Sequence, residues 1–243
     1  MKTFALKARL PAAQGALKFW GVLSLAVLAG SAAVAQAPAG GAPLSINTAF
    51  VKLFGTAGAF TAKVEARAFD QSEKETVRMP MDFALLEGKV RIEINVAQVQ
   101  AKNLPASAVA KLKQAGMDHV ISVFRPDKGT TYVLYPGTQS YLSMPLSKGE
   151  GETIEKGLTL EKNALGKETI EGHACVKNKV VVKNDQWPVL RAITWNAADL
   201  KDFPLQIEIK EKQSTVRMRF TQVRFAKPDA QQFDLPATYS LLK

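Results

Sequence analysis

The chain is poor in the residues that most often announce chemistry. It has one cysteine, Cys175, and two histidines, His119 and His173, in 243 residues. A single cysteine leaves no internal disulfide, so stability must come from a hydrophobic core. With no close-spaced ligand pattern, these three residues argue against a structural zinc site. There is no GxSxG elbow, no HExxH and no phosphate-cradling glycine loop. Carboxylates are numerous but form no recognisable catalytic pair, and Glu150, Glu152 and Glu155 fall in a glycine-rich stretch where charge usually serves solvation. No dense basic run or base-stacking motif is present, so nucleic acid is not an expected partner. No apolar run reaches the roughly 20 residues that a membrane-spanning helix needs.

The first 35 residues also lack any acid, and what they contain is ordered. Lys2, Lys7, Arg9 and Lys18 precede the apolar run Phe19–Leu28, and Ala33-Val34-Ala35 supplies a small-residue cleavage site. This is the pattern of a cleavable export signal. No cysteine lies near the cut, so a lipid anchor on the new N-terminus is not expected. Residues 36–43 contain APAGGAP, a flexible Pro/Gly tether, and residues 44–243 are expected to form one domain. The formal charge is +10, of which the signal contributes four, so the exported chain stays basic. A basic protein outside the cytoplasm meets anionic membrane surfaces first.

Past the tether, Ser45 reads as a helix N-cap, and Ile46, Phe50, Leu53 and Phe54 share one helical face. From Ala59 the period falls to two. Phe60, Ala62, Val64, Ala66 and Ala68 alternate with Thr61, Lys63, Glu65 and Arg67, and Val90, Ile92 and Ile94 repeat the pattern after a Glu87-Gly88 turn. A second short helix is predicted over 105–115, between Pro105 and Gly116. Residues 119–125 and 130–136 are apolar on both faces, which predicts central strands covered on both sides. Residues 145–167, with several glycines and weak periodicity, read as a long loop. Further strands are predicted over 168–182, 189–195, 205–211 and 215–225. The total is about nine or ten antiparallel strands with two or three short helices. A sheet of that size curls strongly, and the helices then cover its open side.

His173 and Cys175 share a strand face with Lys177 and form the nearest approach of a base to a nucleophile. A packed cysteine is the favoured reading, because a thiolate needs an oriented base beside it. Lys210, Lys212, Arg217 and Arg219 flank one hairpin and form a candidate docking patch for an anionic surface, with a solvated strand face as the plainer account. Trp187-Pro188 and Trp195-Asn196 could line a pocket, although core is the commoner role. If the curled sheet stays open, its concave face becomes an apolar cavity. The lining residues would be Phe50 and Phe54 from the lid, with Val64, Ile92, Ile94, Leu134, Ile207 and Phe220 from strands. The same side chains could instead fill the interior themselves, and the pattern fits both.

Three stretches carry a resemblance. Arg125-Pro126-Asp127 through Tyr141-Leu142-Ser143-Met144-Pro145 has the rhythm R-x-D, Y-x-L-Y-P, Y-x-x-x-P. Leu165 to Cys175 looks like LGxExIxGxxC, and Trp195 to Pro204 looks like WxAxDLxxFP. With the export signal, they resemble an uncharacterised family of exported bacterial proteins related to LolA, the periplasmic lipoprotein carrier of the Lol system. The resemblance implies a mainly β fold with minor α: a strongly curved antiparallel sheet forming an unclosed half-barrel, with two or three short helices lidding the concave face. It also implies a periplasmic binding protein that shelters a lipid, acyl chain or other hydrophobic ligand, with Arg91 or Arg125 as a polar latch near the lid. The expected partners are a lipid or acylated protein and an anionic membrane surface, with a monomeric chain and no cofactor. The alternative function is a non-enzymatic cell-envelope interaction or sensing module on the same fold.

The exported chain is expected to begin at Gln36. An intact-mass measurement on protein recovered after export checks this, and a chain still starting at Met1 overturns it.

Overall fold

In the computed structural model the described residues are 47–148, 150, 157–184, 188–211 and 213–242. The signal, the tether, Ser45, Ile46 and Trp187 lie outside them. Alternating burial builds most of the sheet. In β1 (Ala59–Asp70) the even-numbered apolar residues from Phe60 to Ala68 are buried and the odd-numbered polar ones face solvent. β2 (Glu75–Leu86) and β3 (Lys89–Asn95) continue the pattern, with Ala62 opposite Phe83 and Phe83 opposite Ile92. Their turn takes positive φ at both Glu87 and Gly88 (51° and 84°), the two-residue hairpin geometry that matches the natural strand twist.

Next come β4 (Gln100–Ala101), α2 (Ala106–Gln114), β5 (His119–Arg125), β6 (Thr130–Tyr135) and β7 (Ser140–Pro145). The second half holds β8 (Thr159–Ile170), β9 (His173–Lys183), β10 (Pro188–Ala197), β11 (Phe203–Lys210), β12 (Ser214–Arg224) and β13 (Ser240–Leu241). They join into one 13-stranded sheet in the order β13-β7-β6-β5-β3-β2-β1-β12-β11-β10-β9-β8, with β4 beside β2. Every pairing is antiparallel except β13 with β7. The two ends of the sheet do not meet. The fold is mainly β, an unclosed curved sheet with short helices lidding its concave face.

The first lid helix, α1, spans Thr48–Lys52, and its cap is Asn47, whose side chain accepts from the Phe50 backbone N–H. It delivers Phe50, Leu53 and Phe54 into the concave face. The Phe54 ring lies 5.0–5.8 Å from the rings of Phe50, Phe60, Phe83, Phe203 and Phe220. One five-residue helix is thus held by an aromatic cluster from four strands, since a helix this short has little stability of its own.

α2 starts after β4, which lies beside β2, and its last turn leads to Gly116, packed against the Gly137 backbone between β6 and β7. A Cβ at Gly137 would collide with Gly116. Nine helical residues cover about 14 Å, and three strand spacings from β2 to β6 come to about the same. α2 therefore connects β4, beside β2, to the neighbourhood of the β6–β7 turn.

The two-sided apolar pattern of β5 and β6 has a direct cause. On the convex face Ala84, Leu86, Ile121, Val123 and Leu134 form a second core around Phe233, with Leu235 and Tyr239 packed against it. The C-terminal segment crosses the back of the sheet there, turns at Ala230–Phe233 and ends as β13. The loop expected over 145–167 is corrected from Thr159 onward, where β8 begins. Residues 161–169 are exposed, so this edge strand shows no in/out alternation to read.

Phe54→Ala is expected to cost about 3–5 kcal/mol, read as a shift in the urea midpoint. Leu165→Ala, at a position 55% exposed, should stay within about 0.5 kcal/mol.

Candidate functional site

The concave face changes character along its length. At the α1 end the sheet is filled: Phe60 and Phe83 belong to the phenylalanine cluster, and Leu85, Val90, Ile92 and Ile94 are buried. Beyond it, register carries the same face through Val120, Ser122 and Phe124 of β5, Thr131, Val133 and Tyr135 of β6, and Leu142 and Met144 of β7. Phe124, Val133 and Tyr135 are buried, but Val120, Leu142 and Met144 are only half-buried. The rings packed on Phe54 come from α1, β1, β2, β11 and β12. The half-buried residues form an apolar wall with Ser122 and Thr131 as its polar points, chemistry suited to holding an apolar chain.

The eight residues read from sequence as cavity lining are all buried, at 0–5% exposure. Seven of them (Phe50, Phe54, Val64, Ile92, Ile94, Ile207 and Phe220) belong to the concave side, where Val64 pairs with Phe220. Leu134 does not join them. It pairs with Ile121, which pairs with Glu93, and this register sets it on the convex face in the core around Phe233. Sequence parity in a strand apolar on both sides offers no means of choosing its face.

The two arginines also sit away from the lid. Arg91 lies between Ala84 and Val123 on the convex face and pairs with Glu93 at 2.6 Å. Glu93 in turn meets His119 Nε2 at 2.6 Å. Arg125 is the most committed charge among the described residues. Its guanidinium donates to both carboxylate oxygens of Asp127 (2.8 and 2.7 Å), to Asp234 (2.5 Å) and to the Phe233 carbonyl (2.8 Å). Its side chain is 7% exposed. The hydrogen bonds to Arg125 hold the Asp127 and Asp234 carboxyls below their ordinary range. In place of a latch on the lid, Arg125 ties the C-terminal segment to β5.

Cys175 is buried, and burial, with a further contribution from Asp199, pushes its thiol up. A nucleophilic cysteine needs the opposite shift. His173 Nδ1 is engaged by Asp199 Oδ2 at 2.6 Å. Trp195 is buried on the convex face, donating from Nε1 to Glu168 at 2.7 Å, with Lys177 over its ring at 4.9 Å. Sequence reading misses a buried polar hub on the concave side. Asn196 Oδ1 accepts from Asn178 (3.1 Å) and Thr194 (2.7 Å), and its amide donates to the Asp202 carbonyl (2.7 Å). Each of these bonds stays within the chain, so the hub fixes the turn after β10. Among the described residues, no group of three or more His, Cys, Asp or Glu is placed to hold a metal.

The geometry defines a class: an open antiparallel half-barrel with a lidded apolar concave face. No protein-family model matches the chain, and no curated protein does. Solved structures are similar to it at low identity. A LolA superfamily protein from Nitrosomonas europaea is 10% identical over 75% of this chain and 93% of its own, with a TM-score of 0.36. The lipoprotein LppX of Mycobacterium tuberculosis is 12% identical over 72% and 93%, with a TM-score of 0.37. LprF of Mycobacterium bovis is 13% identical over 79% and 95%, with a TM-score of 0.39. The half-barrel itself stands on its strand order and register.

Arg125→Met is expected to cost about 2–3 kcal/mol and to raise hydrogen exchange over 230–241. The depressed Asp127 and Asp234 pKa values give the sign with pH. Their stabilisation is complete above the unfolded value near ~3.9 and is lost as pH falls through the lower folded values. Acid should therefore loosen this segment in the parent protein, while the variant shows little further change there.

Proposed function

We propose that the protein is an exported, non-catalytic binding protein of the bacterial cell envelope, which shelters a lipid, an acyl chain or another hydrophobic ligand in the half-barrel. The observation that carries this reading is the half-buried wall of Val120, Leu142 and Met144 on the concave face. A finished core leaves such residues near zero exposure, as it does Phe60, Ile207 and Phe220. Leaving aliphatic surface half-exposed costs about 25 cal/mol per Å² relative to burial, and an apolar guest recovers that free energy. The export signal read in residues 1–35 supports a periplasmic location, and the buried, proton-retaining Cys175 supports a role without covalent chemistry.

The test is recovery of the protein from the envelope of its own cell, followed by native mass spectrometry and lipid extraction. A co-purifying lipophile is the expected result. Leu142→Trp with Met144→Trp should fill the wall and weaken uptake of a fluorescent long-chain fatty acid at least tenfold, with the urea midpoint nearly unchanged. Repeated recovery of ligand-free protein that also takes up no probe would overturn the reading.

A further inference from the structure

Charged side chains favour the convex side of this sheet. The hairpin expected from sequence as a docking patch turns its cations there, and they are paired. Arg217 pairs with Glu208, Arg219 pairs with Glu171 and also donates to Gln206, and Lys210 lies 3.8 Å from Glu208. Lys212 falls outside the described residues. That hairpin is therefore corrected from a docking patch to a paired strand face. On β3 the charged residues Lys89, Arg91 and Glu93 take the convex side, as do His119 and Arg125 on β5. β6 and β7 contain no charged residue. Register therefore leaves the concave face of β3, β5, β6 and β7 without a charged side chain.

That face still carries hydroxyls. Ser122 and Thr131 are half-buried, and Tyr135 is 7% exposed. Tyr135 lies one step along β6 from the Ile121–Leu134 pair, which sets it beside Val120, and on its other side it pairs with Ser140. Leu142, two residues on in β7, flanks it diagonally. The phenol is thus bordered by the half-buried wall on both neighbouring strands. Ser140 shares a hydrogen bond with the Thr138 hydroxyl at 2.6 Å. Nothing among the described residues hydrogen-bonds the Tyr135 hydroxyl, and burial alone pushes its pKa up. The phenol therefore keeps its proton at neutral pH and stands as a donor. A buried tyrosine hydroxyl normally has a partner. This one is not among the fully sealed polar atoms, so the ring is buried and the tip is open.

On the reading of the half-barrel as a site for a hydrophobic ligand, we propose that this ligand is an acyl ester: its carbonyl oxygen accepts from the Tyr135 hydroxyl while its chain lies along Val120, Leu142 and Met144. An ester is polar but uncharged, and its oxygens only accept. The wall offers what such a group needs, a neutral donor at Tyr135 with the hydroxyls of Ser122 and Thr131 on the same face. An ionised carboxylate or phosphate in that place would need a cation, and burying it without one is strongly unfavourable. A bare hydrocarbon would leave the Tyr135 hydroxyl unpaired. An ester linkage satisfies the donor and brings no charge onto the face.

The test compares pyrene-labelled probes of equal chain length on the full exported protein: a fatty acid, its methyl ester and the corresponding alkane. Binding is measured at neutral pH, where the acid is ionised. The ester is expected to bind at least roughly tenfold more tightly than the acid. Tyr135→Phe should weaken the ester about three- to tenfold, the share of one neutral hydrogen bond, and leave the alkane no weaker. Tyr132→Phe, on the convex face, should leave the affinity for every probe unchanged. Circular dichroism and urea midpoints establish that both variants are folded. Equal binding of ester and acid, or an ester affinity that Tyr135→Phe leaves intact, would overturn the proposal while the half-barrel still stands as a site for apolar ligands. Absence of binding by all the probes would overturn that wider reading and the ester with it.

Discussion

The packing of one phenylalanine decides how this sheet can curve. Phe54 enters from a five-residue helix and meets rings from β1, β2, β11 and β12 at once. Those strands lie next to one another, so the ring cluster pulls the middle of a long sheet into a cup and holds it there. Dispersion and edge-to-face ring contacts are individually small, but fully buried aromatic surface adds up to the largest contribution a residue of this size can make. Away from the cluster most of the concave face is also buried, and Val120, Leu142 and Met144 on β5 and β7 are the side chains that stay partly in solvent.

Curvature leaves the outer face with a problem of its own. Strands β5 and β6 carry Ile121, Val123 and Leu134 on the side away from the lid, and water would meet them if nothing crossed the back. The C-terminal segment does so, with Phe233 as its plug and Arg125 as its fastening. A guanidinium buried this deeply survives because its donors are matched to two carboxylates and a carbonyl. The protein thus has two cores of different kinds. The concave one is aromatic and shared among many strands, and the convex one is aliphatic and depends on a strap.

What the sequence reveals and what it hides have the same physical origin. Strands with one wet face, such as β1 and β3, announce themselves by period two. Central strands β5 and β6 announce that both faces are covered, though not by what, and Leu134 is accordingly expected on the wrong side of the sheet. Edge strand β8 reads as loop because nearly all of it is exposed, and a strand wet on both sides has no hydrophobic period. Arg91 looks available as a latch because a carboxylate two residues on in the same strand gives no sign that it pairs, and Arg125 because its contact with Asp234, more than a hundred positions away, leaves no local trace.

The strap has a further consequence. The short β13 pairs with β7 and lies at one end of the sheet, and with Pro145 it blunts that edge against further pairing. At the other end β8 presents twelve residues whose outer edge pairs with no strand among the described residues, interrupted by the irregularity at Gly166. Edge-to-edge growth needs two receptive sides, one to join and one to be joined. This sheet has one. Strand pairing through β8 would therefore join two copies edge to edge and stop there.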